Sequence, residues 1–503
     1  MGDRMPADRV VIAHGLVLAA GDTEARAADI VLEGDTIAAI VPPGQAQGNR
    51  TIDASSRLII PGLVNAHTHG HGGLGKGIGD RLSLELLLNA NNWIQGGRTN
   101  EDRYLSTLLG GIEMIRKGCT ACIDLTSLMP VPSEEGLAEV ARAYDTLGMR
   151  AVIAPMLADR TFYQAIPGLM EAFSGDLAPI AEAFRTATAE AALAPMRAAA
   201  RAWRYPSDRI RLGMAPTIPL HCSDELMTGC RDLAAEYGLV LQTHLAESPV
   251  QRTAAERRWG MTLTGRLAEL GLIGPRFSGA HAVWLDRREM ETIARLGGTL
   301  AHNPGSNLRL GNGIADMRQA VSAGVTVGVG TDGSSSSDNQ NMFEAMRLAA
   351  FLSRAFDRPS GEWFSAMEAL RLATEGSAAV LGMADLIGRI APGFKADLVF
   401  LDLDHVNLVP LNNAPQHLVN AEDGAAVRDV MIGGRFVMKD RELPGINWPA
   451  IATKAREAAT RLTEANGTAK VAAERLAPVV DHFCVGLGRC AHGLPRRLLA
   501  EAV

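Results

Sequence analysis

Three histidines at alternate positions, His67, His69 and His71 in the stretch NAHTHGHGG, are the first residues here that could do chemistry. Neutral imidazole nitrogens are common ligands for zinc and related ions. On a strand, residues two apart point to the same side, so His67 and His69 can share one ion. His71 continues that direction only if the strand continues. Gly70, Gly72, Gly73, Gly75, Gly77 and Gly79 argue that it does not. His71 is therefore expected on a mobile loop, near substrate and off the metal. Four more metal-capable residues close short apolar runs: His244 in LQTHLAES, His281 in SGAHAVWL, His302 in LAHNPGSN and Asp332 in GVGTDGSSSS. A single histidine in an apolar strand is usually a satisfied core residue. Several at the equivalent end of successive strands would each need a buried partner of its own, which favours one shared site.

The elements that must position them read as follows. Eight apolar runs of strand length recur: LIIPGLVNAH, TACIDLT, MRAVIAPML, IRLGMAPTI, GLVLQTH, FSGAH, GTLAHN and VTVGVGTD. Segments of helical texture, such as DELMTGCRDLAAEYG and DRREMETIARLG, separate them. Continuous apolar runs suit parallel strands buried on both faces. Eight such units predict a (β/α)8 barrel over residues 62–391, whose chemistry belongs at the C-terminal ends of the strands. A doubly wound sheet is the alternative, but no G-x-G-x-x-G follows the first strand. Short strands separated by Gly-Asp turns fill residues 1–61, and similar texture returns over 392–445. These two pieces predict one small composite β-sandwich domain built from both ends of the chain. After Pro444 the sequence turns Ala- and charge-rich, which predicts a helical extension over 446–503.

Composition narrows the function classes. The chain has 503 residues, 47% of them hydrophobic and 21% charged, with a net charge of -7. That balance suits a soluble globular protein and carries no basic footprint for nucleic acid. No run of about 18 apolar residues exists to span a membrane, and VVIAHGLVLAAGD reads as a strand and not a signal peptide. Cys119 and Cys122 form a C-x-x-C, but KGCTACIDLTS reads as strand entry, with no second pair to complete a metal or redox site. The six cysteines fit a reduced, cytoplasmic protein. The serine run 334–337 lacks a G-x-S-x-G elbow and reads as a tight loop after Asp332.

The motifs PGLVNAHTH, THLAES, GAHAVWL, HNPGSNLRLGNG and VGVGTDGSSSSDNQNMFEAMRLA occur in the order found in the amidohydrolase superfamily. The chain most resembles its branch of heterocycle aminohydrolases, which includes S-adenosylhomocysteine and methylthioadenosine deaminases, guanine deaminases and triazine hydrolases. PGFKADLVFLD resembles the segment by which such chains re-enter the small β domain. The likeness covers roughly residues 10–445. It implies that His67, His69, His244 and Asp332 hold one divalent ion, with His281 beside it. Zinc is favoured by that donor set, and iron, cobalt or manganese would also fit. Two-metal members of the superfamily use a carboxylated lysine from the third or fourth strand. This chain has no lysine between Lys117 and Lys395, which favours one metal per chain.

The implied reaction is hydrolytic deamination. A bound divalent ion lowers the pKa of water toward about 7, giving a metal-bound hydroxide at neutral pH. This attacks an aminated ring carbon and ammonia leaves, with Glu247, His281 and Asp332 as the catalytic residues. Glu247 lies three residues after His244. In the resembling enzymes a glutamate here shuttles a proton to a ring nitrogen, whereas by position alone it could simply be a first-turn helix acid. A rival within the same fold removes chloride or an alkylamine, or cleaves an amide or urea bond. A catalytically dead scaffold is a third reading, but every ligand and the acid are present. One departure stands out: Thr217, in APTIPLHCSDEL, sits where the adenosine-type deaminases carry a histidine, and His221 follows four residues later. His71, Trp93, Gln95, Thr217, His221 and Asn303 are the candidate substrate contacts. For Trp93 helix packing is the alternative, and for Asn303 and Asn307 pinning of their loop. The expected partner is a small heterocyclic substrate, with no nucleic acid and no membrane, and the expected assembly is a homodimer or homotetramer.

Overall fold

Five strands open the chain: β1 (Arg9–Val17), β2 (Arg26–Glu33), β3 (Thr36–Val41), β4 (Arg50–Asp53) and β5 (Arg57–Pro61). The computed structural model describes residues 9–489 together with Leu494 and Arg496. The first eight residues of the expected N-terminal piece, and most of the tail after Arg489, lie outside the described residues. β1 is divided by a register shift between Ile12 and Gly15. Its first half pairs with β4 and its second half with β5.

The barrel follows: β6 (Leu63–His69), β7 (Cys119–Asp124), β8 (Arg150–Ile153), β9 (Met156–Leu157), β10 (Ile210–Pro216), β11 (Val240–Leu245), β12 (Phe277–His281), β13 (Thr299–His302), β14 (Thr326–Val329) and β15 (Asp332–Gly333). Each of the eight expected runs supplies barrel strand. Three runs are interrupted. The first is split at Gly62, its LIIP being the end of β5 in the first sheet and only LVNAH entering the barrel as β6. Pro155 has no N–H to give a ladder and separates β8 from β9, both of which pair with β10. Gly330 and Thr331 separate β14 from β15. β14 pairs with β13, and β15 pairs in parallel with β6, so the ring of parallel strands closes. β7, β11 and β12 are buried along their whole length, as strands covered on both faces must be. The C-x-x-C lies on β7, with both thiols buried.

β16 (Leu398–Asp402), β17 (Val427–Ile432) and β18 (Arg435–Met438) return to the first sheet, β16 pairing antiparallel with β5. The order β18-β17-β16-β5-β1-β2-β3 therefore joins a block from the C-terminal end to a block from the N-terminal end at the β16–β5 pair. Its sheet closes over Ile12, Ile30, Ile59, Leu398 and Phe400. One buried ion pair ties this domain to the barrel. The Arg150 guanidinium on β8 donates to both carboxylate oxygens of Asp397, at 2.7 and 3.0 Å.

Two segments complete the upper face. Between β9 and β10 the chain makes four helices, Phe162–Ala165, Leu169–Ala172, Ala178–Glu182 and Ala189–Ala202. After Pro444 come helices Trp448–Ala465 and Gly467–Gly488. The second of these runs against helix Leu84–Gln95, where Asn89 donates to the Ala473 carbonyl at 2.9 Å. No helix among the described residues is long and apolar enough to cross a membrane.

Candidate active site

β6, β11, β12 and β15 carry His67 and His69, His244, His281, and Asp332 to one end of the barrel. Asp332 Oδ1 lies 3.3 Å from His67 Nε2 and 3.1 Å from His69 Nε2. His244 Nε2 lies 3.2 Å from His69 Nε2. His281 joins the group, its ring 5.2 Å from His67 and 5.4 Å from His244. Ligand-capable atoms of His67, His69 and His244, and of His67, His281 and Asp332, fall within 4.8 Å of one another. Around a tetrahedral ion with ligands at about 2.0–2.1 Å, neighbouring ligand atoms lie roughly 3.3 Å apart. The spacing here fits that geometry.

The hydrogen bonds behind the rings point the same way. Each of the four histidines meets an acceptor at Nδ1. For His67 it is Gln242 Oε1 at 2.7 Å, and for His69 the Leu125 carbonyl at 2.6 Å. For His244 it is the Thr217 carbonyl at 2.5 Å, and for His281 Asn307 Oδ1 at 2.9 Å. A carbonyl only accepts, so Nδ1 carries the proton and Nε2 presents a lone pair. Gln242 is oriented by donating its own amide to the Ala66 carbonyl at 3.0 Å. The Nε2 atoms of His67 and His281 and Oδ1 of Asp332 are buried without a hydrogen-bond partner. Buried polar atoms are rarely left so, and a cation among them would satisfy all three. The other Asp332 oxygen accepts from Ser306 Oγ at 2.5 Å and Ser336 Oγ at 2.8 Å. Thus the serine loop steadies the carboxylate. His281 and Asp332 both adopt left-handed backbone conformations, φ 70° and 61°. For residues other than glycine this costs of order 1–3 kcal/mol each, a strain that collects at functional sites.

Burial favours the neutral ligand form of His67, His244 and His281: it pushes His67 below the usual histidine range, His244 well below it with help from His67 and His69, and His281 down to about 4. At His69 burial is outweighed by the hydrogen bond and charge of Asp332, which raise it. Burial opposes ionisation of Asp332, yet His67 and His69 hold its carboxyl well below the usual range. Glu247 goes the other way. Burial, and then the charges of Asp332 and Glu85, push it well above the usual carboxyl range. Its surroundings thus favour the protonated, proton-donating form. Oε1 accepts from Asn312 Nδ2 at 2.9 Å and lies 3.6 Å from His281 Nδ1, while Oε2 has no partner. Glu247 is not in a helix turn: Ser248 caps the following helix, Pro249–Trp259. Position near a helix start therefore does not account for it.

A cavity of about 420 Å³ opens over this group. Glu247, His281 and Asp332 line its floor. His71, Gln95, Thr217 and His221 line its sides. Two candidate contacts stand elsewhere. Trp93 is absent from the lining, and its ring lies 5.7 Å from Lys470 Nζ on helix Gly467–Gly488. Asn303 is fully buried outside the lining. Asn307 is likewise outside it and holds His281. His302 ends β13 but lies outside the groups that could hold an ion, and burial drives it to about 3. His71 is not on a mobile loop. The chain coils into a 3-10 helix, Gly70–Gly75, and buries it. Close packing explains Gly73, on which a Cβ would meet the Ser106 carbonyl at 2.2 Å, whereas Gly77 serves a left-handed turn, φ 72°. Sequence reasoning missed Gln242, Asn312, Ser306 and Ser336. It also missed Asp124, which accepts from the Gly70 amide at 2.8 Å and Tyr144 Oη at 2.9 Å. Only Gln242 had a readable signal, two residues before His244 on one strand.

Comparison with known proteins agrees with this geometry. The amidohydrolase family profile matches residues 58–437. A 5'-deoxyadenosine deaminase of Methanothermobacter thermautotrophicus is 33% identical over 464 residues, covering 91% of this chain and 100% of that protein. The crystal structure of an adenosine deaminase from Xanthomonas campestris with bound zinc superposes with a TM-score of 0.80 at 26% identity. It covers 90% of this chain and 98% of the other. The atrazine chlorohydrolase TrzN from Arthrobacter aurescens TC1, complexed with zinc, superposes with a TM-score of 0.79 at 25% identity, covering 90% and 100%. On profile, relatives and architecture together, the chain belongs to the amidohydrolase family.

Proposed function

We propose that the protein is a metal-dependent aminohydrolase that removes ammonia from an aminated nitrogen heterocycle, with adenosine-type purines as the first candidates. The observation that carries this is the meeting of lone-pair imidazoles and the Asp332 carboxylate beside Glu247, whose carboxyl burial pushes up, under an open cavity. His67, His69, His244 and Asp332 would hold one divalent ion, zinc being favoured by the donor set. When bound, such an ion lowers the pKa of water toward about 7.

The chain's own groups manage the protons. Glu247 gives its proton to the ring nitrogen beside the amino-bearing carbon, which makes that carbon electrophilic. The water that adds there loses a proton to Asp332 or to His281 Nε2. The carbon–oxygen bond forms, the amino group takes the proton held by Asp332 or His281 and leaves as ammonia as the carbon–nitrogen bond breaks, and the added hydroxyl gives its own proton to Glu247, which restores the acid and leaves a ring carbonyl. The apolar part of the cavity wall, Leu87, Leu88 and Phe162 among it, suits a flat ring. The five described cysteines are unpaired thiols, which supports a reducing, cytoplasmic setting.

The test is ammonia release from a panel of 5'-deoxyadenosine, other aminated purines, pterins and triazines, run beside chloride release from a chlorotriazine. Ammonia from at least one purine supports the reading. Chloride release without ammonia from any of them would replace it with the dehalogenase, which the likeness to the chlorohydrolase favours as the second reading.

A further inference from the structure

We infer that His71 is a specificity-determining residue: it holds a fixed Nε2–H donor toward the cavity and selects rings with a hydrogen-bond acceptor away from the carbon that loses its amine. This rests on the proposed function for the identity of the substrate, but not for the state of the ring.

His71 differs from its four neighbours in what meets Nδ1. Theirs face oxygen acceptors, whereas the backbone N–H of Ser127 donates to His71 Nδ1 at 3.0 Å. A backbone amide cannot reverse its role, so His71 Nδ1 must be the bare nitrogen. The proton then sits on Nε2. A ring protonated at both nitrogens would set two donors against each other. His71 is therefore the opposite tautomer to His69, only two residues away. No described residue offers an acceptor to Nε2, and the ring lies on the cavity wall, 5.1 Å from that of His69.

The fold fixes the ring in place. The His71 carbonyl accepts from Ser106 Oγ at 2.8 Å and from the Arg98 guanidinium. Arg98 is itself half-buried and also bonded to Ser106 at 3.2 Å. The 3-10 helix that carries His71 packs so closely on the helix Asn100–Arg116 that glycine is required at position 73. A donor held this firmly and without a protein acceptor penalises any ligand that leaves it unpaired, because a buried unsatisfied group loses its hydration. The acceptor it would meet is an unprotonated ring nitrogen or an oxo oxygen. It cannot be the nitrogen facing Glu247, which needs a donor of its own.

Two measurements test this on the full-length, metal-loaded protein. Long-range nitrogen-15 spectra of histidine-labelled protein, assigned by loss of one ring's signals in His71→Gln, should show His71 protonated at Nε2 alone from pH 6 to 8. A proton on Nδ1 in that range overturns the inference whatever the substrate. Binding of 5'-deoxyadenosine, read from kcat/KM where the ligand is turned over and from the inhibition constant where it is not, is then compared with its 3-deaza and 7-deaza counterparts, in which one ring nitrogen becomes C–H. The wild type should bind one of the two about tenfold more weakly than the parent, the size of a lost hydrogen bond. His71→Leu should abolish that difference, and His71→Gln, whose amide reaches the same place, should restore most of it. Equal discrimination in wild type and His71→Leu overturns the role in selection. Should none of the three ligands bind, the purine reading of the site fails, and the nitrogen-15 spectrum still decides for or against the donor.

Discussion

Glu247→Gln keeps the shape of a carboxyl but cannot give and retake a proton. Its turnover should fall on the order of 10²–10⁴-fold, the usual effect of removing a general acid–base group, while metal content and fold stay as in wild type. A near wild-type rate on the best ammonia-releasing substrate would show that the raised carboxyl has no catalytic use. His69 and His71 make a second residue-scale pair. His69 lies 3.1 Å from Asp332 with its lone pair inward, whereas His71 belongs to the cavity wall. Elemental analysis should find metal lost from His69→Ala and retained near one ion per chain in His71→Ala. Equal loss in both would return His71 to the ligand set.

At the scale of elements, the loop and short helix after β13 hold two reacting groups at once. Asn307 bonds His281 and Asn312 bonds Glu247. Asn312→Ala should lower kcat about tenfold, the worth of one hydrogen bond to a reacting group, with KM and metal content little changed. A rise in KM alone would place Asn312 in binding instead. How far the elements could be read from sequence follows from their burial. β6 to β14 were legible because strands covered on both faces must be continuous apolar runs, and because each metal-capable residue closes one of them. The segment between β9 and β10 was legible only as helical. Helical texture records an apolar stripe but not which neighbour covers it, so the sequence did not reveal that Phe162 and Tyr163 face the cavity. Likewise Trp93 and Asn303 were plausible contacts by type, and only packing shows Trp93 beside Lys470 and Asn303 sealed in the interior. Asn312 lies 65 positions from Glu247, a pairing that no local pattern encodes.

For the molecule as a whole, Arg150 and Asp397 join barrel and small domain across 247 positions of sequence, each side chain 2% exposed. Asp397 also accepts from the Gly433 amide at 2.8 Å. Breaking a buried pair by removing one partner strands the other charge, at about 3–5 kcal/mol. Asp397→Ala should lower the stability measured by urea unfolding by that amount, while folded protein keeps its metal. A change below about 1 kcal/mol would mean that water or Asp208, 3.8 Å from the guanidinium, compensates Arg150 and the pair is not a joint.

The floor of the cavity and one of its sides are held by different parts of the chain. Its floor is made by the tips of barrel strands, all within the residues matched by the family profile, 58–437. One side is helix Leu84–Gln95, held through Asn89 by both Tyr163, at 2.9 Å, and the helix Gly467–Gly488, which lies beyond that match. Selection on substrate range can therefore act at positions whose changes never reach the ion. A library drawn from Asn91, Asn92, Thr186 and the face of Gly467–Gly488 toward Asn89 should yield altered substrate preference among clones that almost all retain metal, whereas one drawn from the strand tips should yield mostly inactive, metal-free protein.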